Sequence, residues 1–137
     1  MENYELTSIR DPGEFEEVRM SAMLTFLDDY EKGREEGRYI PMSCRRVPFD
    51  DGTFDIGLSS HFLLMYTHLG YGFHIDAIDE MLRVCREVRT LPLVNLNSDE
   101  SGMIGDVVDH YSESRDVSIL RTDYRFQGGG DRLLIIR

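Results

Sequence analysis

Apolar residues in the first third of the chain recur at helical spacing. They lie three or four positions apart, with charged residues between them, at Phe15, Val18, Ala22, Met23, Phe26, Leu27 and Tyr30. Just before them, Asp11 is a helix N-cap candidate, Pro12 suits the first helical position, and Glu14 lies three residues after the cap. The pattern predicts an amphipathic helix of about five turns from the Glu14 region, ending near Gly33 or Gly37.

Short runs of strand-forming residues follow this helix. Arg38–Cys44 is a strand candidate for a sheet edge, because Pro41 cannot donate a hydrogen bond to a neighbouring strand. Thr53–Leu58 is predicted to be a buried central strand, and Val88–Val94 is the next strand, with a bulge expected at Pro92. The last two predicted strands are Val117–Leu120 and Leu133–Ile136.

Two further helices are predicted between these strands. The first places Ile75, Ile78, Leu82 and Cys85 on one face; the second opens at Ser98–Ser101 and has its apolar face at Ile104, Val107, Val108 and Tyr111. The segment Phe62–Phe73 is expected to form a short helix or turn and then a mobile loop, and Gly128–Gly130 to allow a chain reversal. Alternating helices and strands closed by a hairpin predict one α/β domain spanning residues 1–137.

The stretch Val47–Ser60, VPFDDGTFDIGLSS, carries a family resemblance. Its proline and aromatic residue, acidic turn with glycine, Thr-Phe-Asp sequence and apolar strand resemble the segment around the fourth strand of class I S-adenosylmethionine-dependent methyltransferases. The order of elements extends this resemblance from about Glu14 to Arg137. It implies a truncated Rossmann-like sheet, mostly parallel, with an antiparallel C-terminal hairpin strand and helices on the faces.

The resemblance also implies a methyltransferase-related protein that lacks the family's N-terminal cofactor-binding half. No glycine-rich turn after a first strand, and no second strand ending in an acidic residue, precedes Val47. We therefore expect S-adenosylmethionine to bind weakly or not at all, and the chain to be inactive alone unless a missing half or a partner completes it. A coding sequence that begins upstream of Met1 would be one source of that half.

Site residues follow from the same resemblance. In the family, groups just beyond the third and fourth strands contact the cofactor, which here points to Ser43, Cys44, Ser59, Ser60 and His61, with His61 as the candidate catalytic base. Two structural alternatives remain open. His61 would equally serve to cap a helix or pack beneath the following loop, and Ser59 and Ser60 would equally serve as helix caps.

Composition excludes several classes of partner. A net charge of −11 opposes nucleic acid and anionic membrane surfaces. No apolar stretch approaches the roughly 18 residues of a membrane span, and no secretory signal is visible, so a cytoplasmic location is expected. The two cysteines are expected to be reduced thiols. We expect no metal site, because His61, His68, His74 and Asp76 match no recognised ligand spacing.

Assembly is the last expectation. In the intact family fold the first two strands lie between the third and fourth, so their absence would leave Thr53–Leu58 with an open apolar edge at Phe54, Ile56 and Leu58. This predicts a homodimer, in which one protomer's N-terminal region covers the other's edge, or a complementing protein subunit. The alternative function is accordingly a non-catalytic self-associating or partner-binding module derived from the methyltransferase fold.

Overall fold

The computed structural model describes residues 12–123 and 130–137, which form two compact units, one up to Met42 and one from Ser43 onward. The first contains the helix α1 (Pro12–Glu35). The second contains, in chain order, β1 (Phe54–Ser60), a 3₁₀ turn (Thr67–Leu69), α2 (Tyr71–Val84), β2 (Cys85–Leu91), α3 (Ile104–Ser112), β3 (Val117–Arg121) and β4 (Arg132–Ile136).

Helix α1 confirms the helix predicted from the first apolar pattern. It begins at Pro12 and ends two residues beyond Gly33, and Gly37 then adopts a left-handed φ of 72°. The predicted apolar side chains from Val18 to Tyr30 do not form a buried stripe, and Met20 and Leu24 are exposed as well. From Val18 to Tyr30 the large apolar side chains of α1 are between 37% and 53% exposed, whereas Phe15 is half-buried.

The four strands form one sheet in the order β1-β2-β4-β3. Strands β1 and β2 are parallel, whereas β4 is antiparallel to both of its neighbours, β2 and β3. The expected antiparallel last strand is confirmed. The expectation of a mostly parallel sheet is wrong: β4 inserts between β2 and β3, so two of the three neighbouring pairs are antiparallel and the sheet is mixed. The predicted turn at Gly128 and Gly129 lies outside the described residues.

Helices α2 and α3 pack against the same face of this sheet. Val88 of β2 lies opposite Ile136 of β4, and both side chains join one buried cluster with Ile78 of α2 and Val107 of α3. Each of these side chains is at most 1% exposed, so the core of this unit is a single apolar layer between the sheet and the two helices.

Among the strands of the described residues, β1 lies at the edge of the sheet, and three of its side chains are exposed, so the prediction of a buried central strand is wrong. Gly57 and Ser59 are buried, but Phe54, Ile56 and Leu58 are 39%, 47% and 69% exposed. Alternating exposure of this kind is typical of a strand with only one covered face.

The predicted strand Arg38–Cys44 is not formed. Within the described residues the chain between α1 and β1 is irregular, and Ser43 bridges only Arg46, across a tight turn. A strand needs a neighbour for its backbone groups, and the sheet ends at β1. Pro41 removes one donor as well.

Several element boundaries also differ from the prediction. Helix α2 begins at Tyr71 rather than near Ile75, and Cys85 belongs to β2 rather than to the helix. Strand β2 ends at Leu91, one residue before Pro92, so the proline terminates the strand and causes no bulge. Helix α3 begins at Ile104, after an irregular Ser98–Ser101 segment.

Candidate functional site

Ser59, Ser60 and His61 lie at the carboxyl end of β1. The Ser59 side chain is buried and its Oγ accepts a hydrogen bond from the Leu63 backbone N–H at 3.4 Å. Ser60 is exposed, and its Oγ lies 2.7 Å from Nδ1 of His61. The His61 backbone N–H donates to the Leu91 carbonyl at 2.8 Å, which joins the ends of β1 and β2. No helix begins at this point of the described chain, so Ser59 is not a helix cap; its hydroxyl holds the turn that follows β1, whereas Ser60 faces solvent.

The loop after His61 turns into the protein interior. His61 and Leu64 adopt left-handed backbone conformations, with φ of 56° and 66°. Leu63, Leu64 and Met65 are at most 5% exposed. Non-glycine residues rarely adopt such φ values, at a cost of order 1–3 kcal/mol each, so surrounding contacts must hold them. The predicted short turn is a packed segment leading to the 3₁₀ turn. The mobile loop predicted up to Phe73 is wrong, because α2 already begins at Tyr71.

His74, in the first turn of α2, holds this loop. Its ring is fully buried; Nδ1 accepts the Leu64 backbone N–H at 3.3 Å, and Nε2 donates to the Tyr66 carbonyl at 3.1 Å. These partners fix the neutral ring with its proton on Nε2. Burial lowers the pKa of His74, the Tyr66 carbonyl opposes this shift, and His68 reinforces it. Both ring nitrogens are thus occupied by backbone groups.

The segment from Arg45 to Gly52, the first half of the sequence motif, lies along α2. Arg45 forms an ion pair with Asp76, and the Val47 backbone N–H donates to Glu80 at 2.8 Å. Hydrogen bonds from Arg83, and then from the Val47 N–H, lower the pKa of Glu80 to about 2. Glu80 therefore remains a carboxylate at neutral pH and fixes the start of the segment.

Arg83 fixes the rest of this segment. Its guanidinium donates to the carbonyls of Phe49 at 2.8 Å and Val47 at 3.2 Å, and to Asp51 at 2.8 Å. The Gly52 N–H returns a hydrogen bond to the Arg83 carbonyl at 2.8 Å. The acidic turn of the motif is thus anchored to α2. In the sequence, only the i, i+3 spacing of Glu80 and Arg83 indicates this arrangement.

Ser43 and Cys44 lie in a turn rather than at a strand end. The Ser43 Oγ accepts the Arg45 N–H at 3.4 Å and its carbonyl accepts the Arg46 N–H at 3.0 Å. Cys44 is half-buried and packs against the core. This turn is tied to α2, whereas Ser59–His61 is tied to β2, so different elements position the two halves of the predicted cofactor set. The role of these residues in cofactor binding stays a prediction.

A surface cleft between α2 and α3 was not predicted from the sequence. Its lining is Tyr71, Asp106, Asp109, His110 and Glu113. The Tyr71 hydroxyl donates to the Asp106 carbonyl at 3.3 Å, and burial, followed by Asp106 and Asp109, raises the pKa of Tyr71. The i, i+3 and i+7 spacing of Asp106 and Asp109 in α3 and Glu113 at its C-cap is the signal that could have identified this cleft. Its negative charge is unfavourable for anionic ligands.

The residues that the structure describes hold neither a cluster of metal ligands nor a membrane-spanning helix. These residues contain no group of three or more His, Cys, Asp or Glu side chains that could hold a metal ion. Among the helices of residues 12–123 and 130–137, none is long and apolar enough to cross a membrane. Cys85 is buried, and burial raises the pKa of its thiol, so it is a core side chain rather than a nucleophile.

Comparison with known proteins gives one informative similarity. The chain is 35% identical over 136 residues to an uncharacterized protein of Methanocaldococcus jannaschii. No protein-family model matches the chain. No solved structure matches it either. The match covers 98% of this chain and 59% of the archaeal protein, so the chain spans well under two thirds of that relative's length.

Proposed function

We propose that the chain is a methyltransferase-type α/β module, related to the C-terminal half of S-adenosylmethionine-dependent methyltransferases, which does not catalyse methyl transfer alone. The observation that best supports the proposal is the direction of the strands. Strands β1, β2 and β3 run the same way and only the last strand, β4, is reversed. That pattern supports the resemblance found at Val47–Ser60.

The residues at the end of β1 fit S-adenosylmethionine only in part. Ser60 is exposed beside the half-buried His61, but the Nε2 atom of His61 is buried, so of these two side chains only Ser60 presents its polar atom to a ligand. Ser59 is not, because its hydroxyl is buried and used by Leu63. Cys44 contributes a half-buried thiol from a separate turn. So few reachable polar groups cannot orient a ligand of this size, which supports weak binding at best and no turnover.

The longer archaeal relative allows a test of this proposal. Both proteins are unfolded thermally with and without excess S-adenosylmethionine, and transfer of labelled methyl groups is assayed in parallel. A ligand at 100 times its dissociation constant adds about 2.7 kcal/mol of stability. We expect a clear shift for the Methanocaldococcus jannaschii protein and none for this chain. Robust turnover by this chain, or no binding by either protein, would contradict the proposal.

A second candidate function is self-association as a homodimer, and the exposed apolar edge of β1 favours it. A strand edge with Ile56 and Leu58 about half to two thirds exposed is a template for pairing with another chain. One form of this proposal places a protomer's N-terminal region against its partner's edge; a complementing protein subunit is the other. Light scattering at concentrations well above micromolar tests the homodimer form, because a stable species of 15.9 kDa would be a monomer.

A further inference from the structure

Strand β1 presents an open hydrogen-bonding edge together with an apolar face. Within the described residues it pairs on one side only, with β2. Phe54, Ile56 and Leu58 project on the face opposite Gly57 and Ser59, and their exposure rises along the strand from 39% to 69%. Natural proteins commonly protect such an edge with lysine, proline or a bulge. Strand β1 contains no lysine, proline or bulge, and its one charged residue is Asp55.

The sequence of β1 is self-complementary about Gly57. If two copies pair antiparallel with Gly57 opposite Gly57, then Ile56 of each copy lies opposite Leu58 of the other. On the other face, Asp55 lies opposite Ser59. The only charged residue of the strand therefore meets a hydroxyl rather than a second carboxylate, and two apolar cross-strand pairs form on the exposed face.

We propose that β1 pairs antiparallel with β1 of a second copy of this chain, centred on Gly57, so that two four-stranded sheets become one continuous eight-stranded sheet. This inference rests on the self-association proposed above and names its surface. It assigns the contact to β1 itself because residues 38–44 form no strand that could cover a partner's edge. A two-fold arrangement uses the same patch on both protomers, as closed dimers do.

Size and charge set the expected strength of this contact. Two paired seven-residue strands bury a small area compared with stable interfaces, so we expect a dissociation constant of micromolar order. Each protomer carries a net charge of −11, which opposes association at long range. Added salt screens this repulsion between the protomers, whereas the apolar and backbone contacts do not depend on the salt concentration. Dimerisation should therefore strengthen as ionic strength rises.

A matched pair of lysine variants tests the surface. Leu58→Lys places a charge on β1, and Leu120→Lys places the same charge on β3, the opposite edge strand, where Leu120 is 50% exposed. Because both side chains are exposed, both variants should fold, which circular dichroism verifies. Light scattering should show dimers for the wild-type chain and for Leu120→Lys, and a 15.9 kDa monomer for Leu58→Lys. A monomeric wild-type chain, or a Leu58→Lys variant that still dimerises, would overturn the proposal.

Cysteine cross-linking tests the register. In the proposed arrangement Ile56 faces Leu58 of the other copy, so a mixture of Ile56→Cys and Leu58→Cys chains should form a disulfide-linked dimer under mild oxidation. Each variant alone should not, because its cysteines lie diagonally, about 7–8 Å apart. Cross-linking of Ile56→Cys alone would indicate a register centred on Ile56 and would contradict the one proposed. None of these measurements involves S-adenosylmethionine, so their failure would leave the methyltransferase-type proposal to its own test.

Discussion

Nδ1 of His74 accepts a hydrogen bond from the backbone N–H of Leu64 at 3.3 Å, and this contact ties the first turn of α2 to the loop that leaves β1. Leu64 is fully buried and has a left-handed φ of 66°, so its N–H has no access to water. The loop begins at His61, in the candidate site. The shape of that site therefore depends on a buried, neutral imidazole.

Acidification is expected to destabilise the fold through His74. Burial lowers the pKa of His74 in the folded state, whereas an unfolded histidine has a pKa of about 6.5. The unfolded state therefore binds the proton first as pH falls. The stabilisation is fully present above about pH 6.5 and is lost as pH falls toward the folded-state pKa. Urea denaturation should give a smaller free energy of unfolding at about pH 5.5 than at about pH 7.5.

Two histidine variants isolate this effect. His74→Gln removes the titrating group but keeps a donor and an acceptor, so it should flatten the pH dependence between these two pH values. His68→Gln alters an exposed residue of the 3₁₀ turn and should retain most of the dependence. An unchanged pH dependence in the His74→Gln protein would show that another group is responsible.

Gly57 is expected to tolerate no side chain. A Cβ at this position would lie 2.8 Å from Cys85 Sγ and 3.0 Å from Met81 Cε, closer than packed atoms allow. Gly57→Ala should lower the free energy of unfolding by about 1–3 kcal/mol, the usual cost of overpacking. Gly105→Ala is the matched control: that Cβ meets nothing within 4 Å in α3, so it should be neutral or stabilising by up to about 1 kcal/mol.

Cys85 offers a second check on the Gly57 contact. Cys85→Ala removes the sulfur that the new methyl group would meet, so Gly57→Ala should cost less in that background than in the wild-type chain. Equal costs in the two backgrounds would mean that the crowding at Gly57 has another origin.

The sequence predicted those features that depend on local pattern. The order of helices and strands after Thr53, the start of α1 at Pro12 and the reversed last strand all follow from short-range periodicity and turn residues. The position of β1 in the sheet does not follow from such local signals. Phe54, Ile56 and Leu58 form the same alternating pattern whether or not another element packs on their face of the sheet, so their exposure depends on tertiary packing, which local pattern does not contain.

The candidate site was predictable to a similar extent. The strand end at Ser59–His61 was located correctly, because small polar residues follow an apolar run. The predicted strand ending at Cys44 failed because a strand forms only beside another. The role of His74 in holding the loop after β1 was not predicted. That role depends on two backbone groups, at Leu64 and Tyr66, whose positions result from tertiary folding.

Loss of the Arg83 guanidinium is expected to release the segment from Arg45 to Gly52 from α2. Arg83→Met keeps the aliphatic stem but removes the hydrogen bonds to the Phe49 and Val47 carbonyls. Amide hydrogen exchange at Val47 and Gly52 should then accelerate, because both amides belong to the anchored segment. Arg86→Met is the control, since Arg86 is largely exposed and pairs with Asp55 at 3.4 Å. Equal acceleration in both variants would show that the effect is general destabilisation.

His61 is expected to mark the ligand-binding end of β1. Asparagine tolerates the left-handed φ of 56° and retains the backbone N–H that donates to Leu91, so His61→Asn should fold with a melting temperature close to that of the wild-type chain. If S-adenosylmethionine binds weakly, amide chemical-shift changes at millimolar ligand should centre on Ser60 and His61 and shrink in this variant. His68→Asn, an exposed position in the following turn, should leave them unchanged. Shift changes that centre instead on the acidic cleft at Tyr71 and Asp106, or that persist fully in His61→Asn, would place binding elsewhere and remove His61 from the site.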